Sequence, residues 1–252
     1  MKIGVCADYQ KAVEIKKAGF DYIELPLNKV GLYTEQEFLQ MVSTLEKVNL
    51  PVLAFSLLLP KTMKVIGKDY NQEELEKYLS VAFPRMISVG AKVVSFGSGK
   101  SRFVPEGMGY KEAFKELVDV TRLIVDIAGK YGITIAIEPL NKNETNLINT
   151  LTEGSALASL SGAELLADAF HIRKEAEPIS HIALCSPIVH AHIATLDGRR
   201  YPIEKNDEVM EFIKALRDSG YKGNLSIEGK TDDFSQDGEK ALKVLKECFE
   251  EA

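Results

Sequence analysis

Histidine is scarce in this 252-residue chain, and all four copies, His171, His181, His190 and His192, lie in its last third. Cysteine is scarcer still: Cys6, Cys185 and Cys248 are an odd number at wide spacings. They form neither a disulfide framework nor a CxxC zinc knuckle, and read as reduced, mostly buried thiols of a cytoplasmic protein. Positive charge is also in deficit, with 31 Lys and Arg against 37 Asp and Glu, a net charge of −6. No global basic field is therefore present to attract nucleic acid or anionic lipid. Long apolar runs are missing too. The first one is broken by Asp8 after a few residues, too short for a signal peptide, and none later reaches transmembrane length. No linker, low-complexity tract or charge block interrupts the chain, so residues 1–252 are expected to form one domain.

What is present is an alternation of short β-branched runs with longer amphipathic stretches, the pattern of repeated βα units around a parallel sheet. The length suits one (β/α)₈ TIM barrel. Strands are expected at Lys2–Cys6, Phe20–Leu25, Pro51–Leu59, Lys92–Phe96, Ile133–Glu138, Glu164–Asp168, Ile188–Ile193 and Asn224–Glu228. Helices are expected at Lys11–Ala18, Glu35–Val48, Gln72–Val89, Tyr110–Tyr131, Leu151–Leu160 and Gly238–Glu251. Asn71 and Glu74 form a capping-box pattern before the third helix, and Pro84 is expected to kink or split it. Gly132 reads as a left-handed stop. Arg173–Cys185 reads as a helix interrupted by Pro178.

Active sites of such barrels form at the C-terminal strand ends. Five expected strands end in or next to Glu24, Glu138, Asp168, His192 and Glu228. Carboxylates converging on one mouth repel one another unless a cation neutralises them. Three carboxylates with one imidazole suit Mn²⁺, Mg²⁺ or Co²⁺ better than structural Zn²⁺, and Mn²⁺ is the first expectation. Glu24 reads equally as a ligand or as a polar residue opening a loop. Behind Glu138, the segment PLNKNE offers Asn141 and Glu144, and His171 follows Asp168 by three residues. His190 and His192 share a strand face. His192 lies nearer the mouth and is the better ligand, His190 a hydrogen-bonded packing residue one layer deeper, and His181 is structural. Gly99-Lys100-Ser101 looks like the end of a P-loop, but the glycine that motif needs is Val94. Lys100 or Arg102 offers substrate a charge only if the loop turns inward; a solvated loop is the simpler reading. Arg199 and Arg200 read as surface charges or substrate clamps.

The segments IAIEPLNKNETNLINTLTEG, ELLADAFHIRKEAE, IVHAHIATLDGRRYP and LSIEGK together resemble the sugar isomerase/epimerase superfamily of xylose isomerase-like barrels, nearest to its ketose 3-epimerases. The resemblance implies that Glu138, Asp168, His192 and Glu228 hold one divalent metal, with Glu144 and His171 binding substrate. It further implies that Glu138 and Glu228 exchange a proton on opposite faces of a small sugar through a cis-enediolate, in a dimeric or tetrameric enzyme. The pattern departs at Gly198, where the epimerases carry an arginine, and Arg199 takes that place through a shifted loop.

The same superfamily includes apurinic endonucleases with trinuclear zinc. Those need histidines on earlier strands, and this chain has none before His171. A nearer rival is a metal-dependent lyase or dehydratase on a keto-inositol or oxidised glycoside, in which the enediolate expels a leaving group. A non-catalytic sugar-binding barrel is the third reading.

Overall fold

The computed structural model describes residues 1–252 except Ser186. Eight parallel strands close into a barrel in sequence order: β1 (Ile3–Cys6), β2 (Tyr22–Pro26), β3 (Val52–Ser56), β4 (Val93–Phe96), β5 (Thr134–Ile137), β6 (Glu164–Asp168), β7 (Ile188–Ile193) and β8 (Asn224–Ile227), with β8 pairing back onto β1. The surrounding helices are α1 (Ala12–Lys17), α2 (Leu27–Val30), α3 (Glu35–Val48), α4 (Gln72–Ser88), α5 (Tyr110–Gly129), α6 (Leu151–Ser161), α7 (Ala169–Lys174), α8 (Asp207–Asp218) and α9 (Phe234–Glu251). The expected (β/α)₈ fold is therefore the observed one.

Runs such as Ile135-Ala136-Ile137 on β5 and Leu165-Leu166-Ala167 on β6 are buried throughout, as strands covered on both faces must be. The main core lies between these strands and helix faces such as Leu117, Val120 and Ile124 of α5 or Val209, Phe212, Ile213 and Leu216 of α8. The barrel interior is more polar. Tyr22, Glu24, Ser95, His190, His192 and Ser226 are all buried. At Gly4, a Cβ would stand 2.4 Å from Cζ of Tyr22, so only glycine leaves that ring its place.

Several local expectations need correction. Asn71 caps α4 by accepting from Glu74 N at 3.1 Å, but only this half of the capping box forms. Complete boxes stand instead at Thr34/Glu37 before α3 and Thr150/Glu153 before α6. Pro84 does not split α4, which runs unbroken across it. Burial of Leu79, Phe83 and Met86 against the barrel holds the turn despite the missing N–H. Arg173–Cys185 resolves into the end of α7 and a separate 3₁₀ turn at Ile179–Ala183. The four-residue α2, the first turn of α7 and the full-length α8 lie outside the expected helices. The stop at Gly132 is present, at φ +66°.

Candidate metal and substrate site

Strand register assembles the site. Asp168 on β6 is level with His192 on β7, which is level with Ser226 on β8, and Cys6 on β1 is level with Glu24 on β2. Glu138 and Glu228 follow β5 and β8 directly. Ligand atoms of Glu138, Asp168, His192 and Glu228 all lie within 4.8 Å of one another. His192 Nδ1 stands 3.1 Å from Glu138 Oε1, 3.3 Å from Glu228 Oε2 and 4.0 Å from Asp168 Oδ2.

Asp168 divides its two oxygens between structure and site. Oδ1 caps α7, accepting from Phe170 N at 2.7 Å and His171 N at 3.2 Å. Oδ2 is buried without a hydrogen-bond partner among the described residues, the nearest cation being Arg199 Nη2 at 3.6 Å. A buried carboxylate oxygen in that condition is costly, and a cation among the four donors relieves the cost. Ion–oxygen bonds of about 2.1 Å put neighbouring donors roughly 3–4 Å apart, so the four side chains fit one divalent ion. The three potential metal-holding groups among the described residues (Cys6/His192/Glu228, Glu24/His190/His192 and Glu138/Asp168/His192/Glu228) all share His192. They are thus centred on one imidazole rather than forming separate centres.

The same α7 cap fixes His171. Its Nδ1 accepts from Asn141 N at 3.1 Å, and Asn141 Nδ2 lies 2.8 Å from the same nitrogen while donating to Glu144 Oε1 at 3.0 Å. A neutral ring that accepts at Nδ1 carries its proton on Nε2, which faces Asp168 Oδ2 at 3.8 Å.

Arg199 enters from the loop after β7, with backbone φ +51° beyond Gly198 at φ +67°. It donates to Glu228 Oε2 at 2.6 Å and to Glu144 Oε1 at 3.3 Å. Its guanidinium lies over the Phe170 ring, 4.9 Å from the centroid. The structure therefore brings Glu144, His171 and Arg199 together around the four donors. Arg200 turns outward to Asp232, and His181 pairs with Glu177 away from the mouth. Burial opposes charge on His192, but Glu24 and its neighbours outweigh burial and hold the imidazole well above the ordinary histidine range. Glu228 is likewise opposed by burial, yet His192 and Arg199 bring its pKa down to about 2. Burial and Glu24 push the Cys6 thiol up, so it stays protonated beside His192.

These groups open into a cavity of about 260 Å³. Glu138, Glu144, His171, Arg199 and Glu228, from the segments that follow β5 to β8, line one side. Asn28, Leu57, Lys61, Ser98 and Lys100, from the segments that follow β2 to β4, line the other. Asn28 Oδ1 is buried there without a partner among the described residues. Gly97 also lines the cavity, and a Cβ on it would lie 2.4 Å from Glu138 Oε2. Glycine is thus required for Glu138 to hold its position.

Sequence reasoning misplaced Arg102, which lies neither in solvent nor against substrate. It is fully buried, donating to the carbonyls of Phe96 and Glu138 at 2.7 Å each. Cys6, Tyr22, Asn28, Lys61 and Ser226 were not singled out. Cys6 was recoverable by the rule applied elsewhere, since it ends β1.

A family profile described as xylose isomerase-like TIM barrel matches residues 13–250, and the chain belongs to that family. It is 27% identical over 228 residues to D-psicose 3-epimerase of Agrobacterium fabrum, covering 85% of this chain and 76% of that protein. Over 140 residues, 53% of each chain, it is 24% identical to 3-dehydro-D-guloside 4-epimerase of Escherichia coli. Its fold matches the structure of D-psicose 3-epimerase with D-tagatose from Clostridium cellulolyticum with a TM-score of 0.85, at 16% identity over 99% of both chains. Among the described residues no helix is long and apolar enough to cross a membrane.

Proposed function

We propose that the protein is a metal-dependent sugar epimerase or isomerase acting on a small ketose or keto-sugar derivative by proton transfer. The observation that carries this reading is two carboxylates, Glu138 and Glu228, facing one cavity within a single four-donor cluster. The similarity to a ketose 3-epimerase and to a keto-glycoside 4-epimerase supports the substrate class.

Glu138, Asp168, His192 and Glu228 would hold one divalent ion, with Mn²⁺ favoured by the oxygen-rich donor set. When bound, that ion supplies Lewis-acid stabilisation of the charge that builds on the sugar oxygens during proton removal. One of Glu138 and Glu228 takes the proton from the carbon beside the carbonyl. The other returns a proton from the opposite face, so the configuration inverts. His171, with its proton on Nε2, donates to a sugar oxygen, and Glu144 accepts from a hydroxyl. Asn28 Oδ1, unpartnered in the cavity wall, accepts from another sugar hydroxyl.

Turnover in D₂O tests the reaction class. Small ketoses, their phosphates and keto-glycosides are supplied with Mn²⁺, and product is followed by NMR. Solvent deuterium is expected at the carbon next to the carbonyl. Turnover without exchange means a hydride shift and removes the proton-transfer reading, while loss of a β-substituent identifies a lyase.

Arg199 gives a second test. Removing a charge-assisted hydrogen bond costs about 1.5–3 kcal/mol, so Arg199→Ala is expected to lower kcat/KM by roughly 10- to 150-fold. Most of the loss should appear in KM if Arg199 holds substrate. An unchanged KM in steady-state kinetics would reduce Arg199 to a charge-balancing group for Glu228.

A further inference from the structure

Glu24 lies on β2, a strand that contributes nothing to the four-donor cluster, and the mechanism above leaves it without a role. It is fully buried, and both its oxygens are engaged. Oε1 is 3.0 Å from His192 Nε2. Oε2 is 2.7 Å from His190 Nε2 and accepts from Ser226 Oγ at 2.5 Å. The single hydroxyl proton of Ser226 is committed to Glu24, so Tyr22 OH, 2.7 Å from Ser226 Oγ, donates to that oxygen. The result is a chain of directed bonds, Tyr22 to Ser226 to Glu24, with both histidines of β7 converging on the same carboxylate.

An ionised carboxylate only accepts hydrogen bonds, so a ring nitrogen bonded to it carries a proton. A metal ion displaces the Nδ1 proton on binding, leaving a neutral His192 that keeps its proton on Nε2 and gives the ion the lone pair of Nδ1. That nitrogen faces Glu138, Asp168 and Glu228. The ring is therefore gripped from behind on one nitrogen and offers the other to the cluster. A carboxylate behind a ligating imidazole orients the ring and raises its basicity.

We propose that Glu24 is a positioning residue for the metal centre, fixing His192 with its proton on Nε2 and Nδ1 directed at the ion, and that Tyr22, Ser226 and His190 hold Glu24 in that task. The inference rests on the metal-centre reading given above. It makes a residue of β2, two strands from Glu228 around the closed barrel, part of the determinant of metal affinity.

The test uses the whole chain. Mn²⁺ is titrated calorimetrically into the wild type and into Glu24→Gln, with circular dichroism confirming the fold of each. The wild type is expected to bind one ion, and Glu24→Gln to bind it about 10- to 100-fold more weakly. In the Zn²⁺-loaded, ¹⁵N-histidine-labelled wild type, Nε2 of His192 should carry a proton shifted downfield by its carboxylate partner. In Glu24→Gln that proton should lose the downfield shift and exchange with water about tenfold faster or more, as expected for loss of a hydrogen bond to a charged group. A purely structural role would lower the melting temperature and leave this proton unmoved.

Affinity within threefold of the wild type in Glu24→Gln, or metal on Nε2 of the wild-type ring, overturns the inference while the metal centre stands. Absence of Mn²⁺ binding by the wild type removes the metal-centre reading itself. If Glu24→Gln does not fold, the ring spectrum of the wild type decides alone.

Discussion

Glu138→Gln and Glu228→Gln are each expected to lower kcat by about 10²–10⁴-fold, the range supplied by a positioned acid or base, with the fold intact. Glutamine keeps the shape of each side chain and its reach into the cavity but abolishes proton exchange. Both residues stand where a small displacement would matter. Glu138 is fixed at its carbonyl by Arg102, and its carboxylate fills space that any side chain at Gly97 would occupy. Glu228 accepts from Arg199 Nη2 at 2.6 Å. Each is also a proposed ligand, so metal content has to be measured beside activity. A variant that keeps its metal and loses turnover isolates the proton-transfer role; one that loses both identifies a ligand first. If either variant retains more than about a tenth of wild-type kcat, well short of the loss expected for an acid or base, the acid–base assignment is wrong.

The second large effect concerns stability. Arg102→Ala is expected to destabilise the protein by about 3–5 kcal/mol, the combined cost of lost charged hydrogen bonds to buried carbonyls and of the cavity left behind. Arg102 is among the largest fully buried side chains, and it links the ends of β4 and β5 through the carbonyls of Phe96 and Glu138. Burial lowers its pKa, but only to about 10, so the guanidinium remains charged at neutral pH. Truncation removes a donor from the Glu138 carbonyl, leaves the Phe96 carbonyl with only the Glu138 N–H at 3.4 Å, and opens a void where the side chain lay. At about 2–4 °C per kcal/mol for a chain of this size, the melting temperature should fall by roughly 6–20 °C. Arg102→Lys keeps the charge but loses the planar fork that spans two carbonyls, and should fall between. Melting of Arg102→Ala within 2 °C of the wild type would show that this link carries little of the stability.

The reasons some features were legible and others were not are physical. Strand positions followed from apolar β-branched runs, because a strand covered on both faces tolerates little else; β6 and β7 match their expected bounds residue for residue. The convergence of Glu138, Asp168, His192 and Glu228 followed from one rule of barrel geometry applied to strand ends. Arg102 defeated the reading because a charged residue in a glycine-rich loop is normally solvated, and only the tertiary structure supplies the backbone carbonyls it satisfies. Glu24 was left undecided because its partners, His190, His192 and Ser226, are 166 to 202 residues away in sequence. Helix α8 is a different case. Val209, Phe212, Ile213 and Leu216 recur at helical spacing behind the cap Asn206, so its signal was present and unread.

The two sides of the cavity come from different halves of the chain. The segments after β2, β3 and β4 contribute lining but no member of the four-donor cluster, and β5 to β8 with the residues that follow them supply all four. Changes in substrate preference and changes in chemistry are thus separable by position. Randomising Asn28, Leu57, Lys61 and Lys100 would explore new sugars without touching a donor, and exchanging the first half of the barrel with that of another family member would transplant recognition as a block. Tyr22 and Glu24 set the boundary of such a graft: they lie in the first half but reach into the second through Ser226, His190 and His192, and have to travel with the chemistry they serve.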